Sequence, residues 1–113
     1  MKPKQLARAI GKLALEKNAF DIYLIDLKKS SDVASYFVII SGQVDVHVKA
    51  IADNIVDGLK EKDIKVWHSE GYRNLQWVLL DYVDVVVHIF QPSVREYYSL
   101  EKLWGDAPLE ILE

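Results

Sequence analysis

The stretch Trp77–Phe90 constrains the fold more than any other part of the chain. Trp77-Val78-Leu79-Leu80-Asp81 and Val85-Val86-Val87-His88-Ile89-Phe90 are two apolar, β-favouring runs parted at Tyr82-Val83. A connection this short admits only an antiparallel hairpin. Gln91-Pro92-Ser93 then closes the second run, because proline cannot continue a ladder, and Ser93 is placed to cap a helix over Val94–Trp104. Strand, strand and aromatic helix in succession argue an α/β core.

The remaining elements follow from periodicity. Leu6, Ala9, Ile10, Leu13 and Ala14 recur at spacings of three and four, which predicts a helix over Lys4–Lys17 with its lysines and arginine mostly on the opposite side. Phe20–Leu27 and Tyr36–Ile40 read as strands, joined by the polar loop Lys28-Lys29-Ser30-Ser31-Asp32. Val48, Ile51, Ala52, Ile55, Val56 and Leu59 mark a second helix over Asp45–Lys62, with Asp45 as its N-cap. Ile64-Lys65-Val66-Trp67 completes the set as a third strand. The expected architecture is one domain over residues 1–113, of α/β (α+β) class, with a mixed five-stranded sheet and about three helices. A right-handed crossover through the second helix would set the second and third strands parallel.

Composition narrows the function. At 113 residues, half of them apolar and 27% charged, the chain is an ordinary globular domain able to bury roughly two thirds of its unfolded surface. Cysteine is absent, which excludes disulfides, thiolate nucleophiles and zinc ribbons. No apolar run approaches the roughly 20 residues that span a bilayer, so no membrane association is expected and a cytoplasmic location is the default. The net charge of −3 hides an asymmetry: Lys2, Lys4, Arg8, Lys12 and Lys17 crowd the N-terminal end, while Glu101, Asp106, Glu110 and Glu113 crowd the other, with 106–113 reading as an acidic tail. Nucleic-acid binding rests on neutralising phosphates, so a chain with this balance is expected to bind little or none directly.

Residues with catalytic potential are sparse. Ser41-Gly42, between a strand and a helix start, is the kind of turn whose backbone amides hold phosphate in nucleotidyltransferases. Such enzymes also need two or three carboxylates converging on magnesium. Asp26, Asp81 and Asp84 are the strand-associated acids, and no Asp-x-Asp pair lies on a strand. His88, in phase with Asp84 and Val86, is either a base with an acidic neighbour or a buried histidine satisfied locally; His47 and His68 lack metal-ligand spacing and read as surface residues. No catalytic residue, metal or cofactor is therefore assigned.

The aromatics say more. Trp77 shares a strand face with Leu79 and Asp81, while Val78, Leu80 and Tyr82 take the other, so both faces are largely apolar. Either a helix of the protein or a partner must cover Trp77. Tyr72 and Leu75, in the preceding loop, would enlarge an exposed apolar patch of the kind that marks a binding surface.

Taken together, Asp26, Ser31-Asp32, Tyr36-Phe37-Val38-Ile39, Ser41-Gly42, His47, Ala50-Ile51-Ala52-Asp53, Glu70-Gly71, Trp77, Asp81, Asp84-Val85-Val86-Val87-His88, Arg95, Tyr98, Leu100-Glu101 and Leu103-Trp104 resemble the ribosomal silencing factor (RsfS, or Iojap-like) family across nearly the whole chain. The resemblance implies a non-enzymatic translation repressor with a nucleotidyltransferase-like fold that lacks the metal carboxylates. It implies binding to the large ribosomal subunit through its protein L-fourteen, which blocks small-subunit joining when nutrients run short. On that reading the partner-binding residues are Trp77, Leu79, Leu75, Tyr72, Glu70, Asp81, Asp84 and Tyr98, and the free protein is a possible homodimer.

Overall fold

The computed structural model describes residues 1–112. Elements run α1 (Pro3–Leu15), β1 (Phe20–Asp26), β2 (Tyr36–Ser41), α2 (Asp45–Lys60), β3 (His68–Glu70), β4 (Trp77–Asp81), β5 (Val85–Phe90), α3 (Pro92–Tyr98), α4 (Leu100–Leu103) and β6 (Leu109–Ile111). They form one mixed sheet in the order β3-β4-β5-β2-β1-β6, in which only β2 and β5 pair in parallel. The class is as expected, but the sheet has six strands where five were predicted.

Burial explains the strand order. All six residues of β5 are buried and all three of β3 are exposed. A run apolar on both sides belongs in the middle of a sheet covered on both faces, and a short polar one belongs at the edge. The parallel neighbour of β2 is accordingly β5, not the third strand as the crossover argument had it. β3 also begins four residues later than predicted, because Ile64 and Val66 turn inward to pack on the main core instead of entering a ladder.

Two apolar layers flank the sheet. On one side α1 and α2 bury Leu6, Ile10, Val48, Ile51, Ile55 and Leu59 against Ile22, Leu24, Val38, Ile40, Val78, Leu80, Val87 and Ile89. On the other, Val94, Leu100, Trp104 and Ala107 from α3, α4 and the following loop cover Ile25, Leu27, Ile39 and Phe90. The second layer is smaller, and that difference positions the site described below.

Local signals were partly displaced. Val44, not Asp45, is the N-cap of α2; Asp45 is the first helical residue, and its Oδ1 accepts from the Val46 N–H at 2.8 Å while its charge faces the positive helix end. Gln91, not Ser93, caps α3. The single helix expected over Val94–Trp104 is broken at Ser99, whose φ of 45° is left-handed and whose N–H closes α3 on the Arg95 carbonyl at 2.8 Å.

The acidic tail contains β6, the strand the sequence did not predict. It pairs with β1, and Glu110 takes a two-pronged ion pair from Arg8 on α1, 2.9 and 3.2 Å, which joins one charge of the basic end to one of the acidic end. Leu112 then seats over Gly11, where an added Cβ would lie 2.2 Å from the leucine Cδ1. Gly11→Ala is expected to swing the Leu112 side chain aside and to leave stability within about 1 kcal/mol in a denaturant titration, because alanine gains about that much helix propensity over glycine while the leucine tip can move. A loss well beyond that would mean that Leu112 is held rigidly over α1.

Candidate functional site: the open face of the sheet

Because α3 and α4 cover β1, β2 and the end of β5, the second face stays uncovered toward β3 and β4. Register places its residues in rows. Glu70, Leu79, His88 and Ile39 stand opposite one another across β3, β4, β5 and β2, and His68, Asp81, Val86 and Phe37 form the next row. Trp77 stands opposite Phe90. Trp77, Leu79, Asp81 and Phe37 are each half-buried, so the face offers an apolar floor still in reach of solvent.

Trp77 is held from three sides. Its ring centroid lies 4.9 Å from Phe90 and 4.8 Å from Tyr98 of α3, and its Nε1 donates to His88 Nδ1 at 3.1 Å. Tyr98 in turn meets Tyr97 edge-on at 5.1 Å; Tyr97 is 82% exposed and Tyr98 49%. Of the two covers the sequence left open for Trp77, the protein's own helix supplies one, through Tyr98. The rest of the aromatic surface stays open. Glu70, paired with His68 at 3.3 Å, and Asp81 put carboxylates beside Leu79. Asp84 is exposed in the turn before β5.

Tyr72 and Leu75 are elsewhere. Both pack against the α1–α2 core, on the opposite side of the sheet from Trp77. Burial, with Asp53 and Asp57 of α2 nearby, pushes the Tyr72 phenol up to about 12. The loop carrying them turns at Gly71, with φ +93°, where any Cβ would sit 1.9 Å from the Trp77 carbonyl oxygen. Phe37, Val86 and His88 share the open face and were not assigned to it from sequence; only the strand order reveals that they fall in phase with Leu79 and Asp81.

The other sequence candidates have structural duties. Ser41 is buried, and its hydroxyl accepts from Arg95 Nη1 at 2.8 Å. The Gly42 N–H donates to the Phe90 carbonyl, and the Gln43 N–H donates to His47 Nδ1 at 2.8 Å, so the amides after the turn are engaged by the chain itself. His47 forms a second bond, from Nε2 to the Lys17 carbonyl at 2.7 Å, so this surface histidine ties α2 to the turn after α1. Asp26 and Asp81 accept from the Lys28 and Val83 amides at 3.0 and 2.7 Å. These acids lie at the end of the sheet where β2 begins, whereas Ser41-Gly42 lies where it ends, about 17 Å away for a strand of this length. A glycine-serine turn and carboxylates so separated cannot act on one phosphate.

Comparison with known proteins gives the family. The family described as ribosomal silencing factor during starvation matches residues 1–113. A Bacillus subtilis protein named ribosomal silencing factor is 44% identical over 113 residues, covering all of this chain and 96% of its own. The chain belongs to the ribosomal silencing factor family. A mouse relative named mitochondrial assembly of ribosomal large subunit protein 1 is 34% identical over 95 residues, 81% of this chain and 42% of its own. The crystal structure of a Chromobacterium violaceum protein superposes with a TM-score of 0.90 at 32% identity, over 93% of this chain and 88% of that one. The fold of this chain is therefore that of its family, whose members are named as regulatory proteins. Among its described residues no helix is long and apolar enough to cross a membrane.

On this face His88 is the buried titratable group among the described residues. Burial pushes its imidazole down to about 4, so it is neutral near pH 7 and free to accept at Nδ1. In the unfolded chain the same ring titrates near 6.5. The unfolded state thus binds the extra proton between those values, and stability falls as pH drops from 6.5 to 4. The melting temperature is expected to decline by several degrees across that window, and His88→Leu should flatten the decline. Parallel curves for the two proteins would show that His88 does not carry it.

Proposed function

We propose that this ribosomal silencing factor docks its open sheet face on the large ribosomal subunit, through protein L-fourteen, and there blocks joining of the small subunit when nutrients run short. The observation that carries the reading is the aromatic face itself: Trp77 and Leu79 of β4 stand partly exposed beside the α3–α4 cover, whose edge is formed by Tyr98 against Trp77 and by Trp104 against Phe37. Such surfaces mark docking sites, and buried tryptophan and tyrosine are the usual anchors. Glu70, Asp81 and Asp84 give it an acidic edge suited to a basic ribosomal protein. Tyr72 and Leu75 support the β3–β4 hairpin from the other side of the sheet and are left out of the proposed contact.

Steric blocking asks little chemistry of the protein. A standard interface of roughly 800 Å² per partner provides the specificity, and occupancy of the subunit-joining face does the rest. The name of the mouse relative refers to the large subunit, which supports that choice of partner. A location among cytoplasmic ribosomes follows from the same reading. A second copy seated on the open face would form a homodimer of the free protein and compete with the ribosome.

The test is sedimentation with separated subunits. The protein is expected to run with large subunits, not with small ones, and to lower the yield of joined ribosomes as it saturates. Equal binding to both subunits, or undiminished joining at saturation, would refute the proposal.

A further inference from the structure

His88 lies on β5 beside Trp77 on β4, and its ring is enclosed by aromatics, with Phe37 at 4.6 Å between centroids and Phe90 at 6.1 Å and nearly parallel. It is 4% exposed. Indole N–H groups only donate, so a histidine that takes the Trp77 Nε1–H at Nδ1 must carry its own proton on Nε2. That Nε2 is buried and has no hydrogen-bond partner among the described residues. An unsatisfied buried donor destabilises a fold, and an apolar side chain of similar size would pack here without that penalty. The polar interaction gained at this position is the one with the Trp77 indole.

We infer that His88 is a positioning residue of the docking face: its Nδ1 holds the Trp77 indole in one orientation before the partner arrives. Trp77 then loses less rotamer freedom on binding, the general advantage of a preorganised anchor. The inference rests on the reading of Trp77 as the anchor, and the experiment separates the two.

The full chain is prepared with His88→Leu, His88→Asn and Trp77→Ala, and each variant is measured for melting temperature, for binding to salt-washed large ribosomal subunits and for its indole N–H resonances by NMR. Leucine removes the acceptor and the orphaned Nε2–H together but leaves the part-buried Trp77 Nε1–H unpaired. Its expected result is a melting temperature within a few degrees of wild type, binding about tenfold weaker, as for the loss of one hydrogen bond, and a shifted, faster-exchanging Trp77 indole proton. Asparagine can set its Oδ1 where Nδ1 stands. It is expected to melt lower, being smaller, yet to bind within about twofold of wild type. That crossing of stability and affinity is not produced by a packing role. Equal weakening by leucine and asparagine, or wild-type binding by the leucine variant while Trp77→Ala binds poorly, overturns the positioning role. Wild-type binding by Trp77→Ala overturns the docking reading itself. If the leucine variant fails to fold, His88→Phe makes the same comparison.

Discussion

Trp77→Ala is expected to weaken binding to large ribosomal subunits by roughly 30- to 1,000-fold, equivalent to ~2–4 kcal/mol, the range for truncating a central aromatic anchor. The expectation comes from its place at the junction of three groups, Phe90, Tyr98 and His88, with part of the ring still open on the uncovered face. Stability should fall as well, by about 2 kcal/mol. That is less than for a fully enclosed tryptophan, because a half-buried ring leaves a smaller cavity when removed. Subunit sedimentation and a denaturant titration on the same variant check both. Retained affinity would remove Trp77 from the interface, whereas a loss of stability of about 5 kcal/mol would make it a core residue first.

Arg95→Met is expected to cost about 3–5 kcal/mol of stability, the largest effect of any single change away from the apolar core. Arg95 is buried, and its guanidinium gathers four partners from distant parts of the chain. Nη1 donates to the Asp21 carbonyl and to Ser41 Oγ, Nε faces Glu101 Oε1 at 3.4 Å, and the Tyr23 ring lies 4.6 Å from the guanidinium carbon. The Asp21 carbonyl is available because β1 bulges between Phe20 and Tyr23, which turns that group out of the ladder. Methionine would fill the space but leave the part-buried Glu101 carboxylate, whose Oε2 is enclosed, without its counter-charge, and the Asp21 carbonyl and Ser41 hydroxyl without their donor. Denaturation midpoints would show the loss, and Arg95→Met with Glu101→Gln should recover part of it. Ribosome binding should fall in parallel, because Arg95 fastens α3, and α3 carries Tyr98 to Trp77. A cost under about 1 kcal/mol would mean that the second layer holds without it.

The elements legible in the sequence were those whose signal is local. α1 and α2 show apolar stripes several turns long, and β4 with β5 are two apolar runs on a connection too short to be anything but a hairpin. Each pattern is set by neighbours within a few positions and survives in any tertiary context. The carboxylates at the ends of β1 and β4 were visible as well, but that the amides of the following turns engage them required the backbone path.

What the tertiary structure alone decided depends on contacts between residues far apart in the chain. Three residues are too few to show a β period, so Leu109–Ile111 becomes a strand only because the edge of β1 and the Arg8 side chain are there to receive it. A left-handed Ser99 splits the last helix so that Val94 and Leu100 both reach the sheet. Tyr72, Leu75 and Trp77 are near neighbours in sequence, yet Gly71 and the hairpin send the first two to one side of the sheet and the tryptophan to the other. Periodicity tells which residues share a face of one element. Which face meets a helix and which stays open follows from strand order, and strand order is set by how much apolar surface each strand must hide from water on both sides.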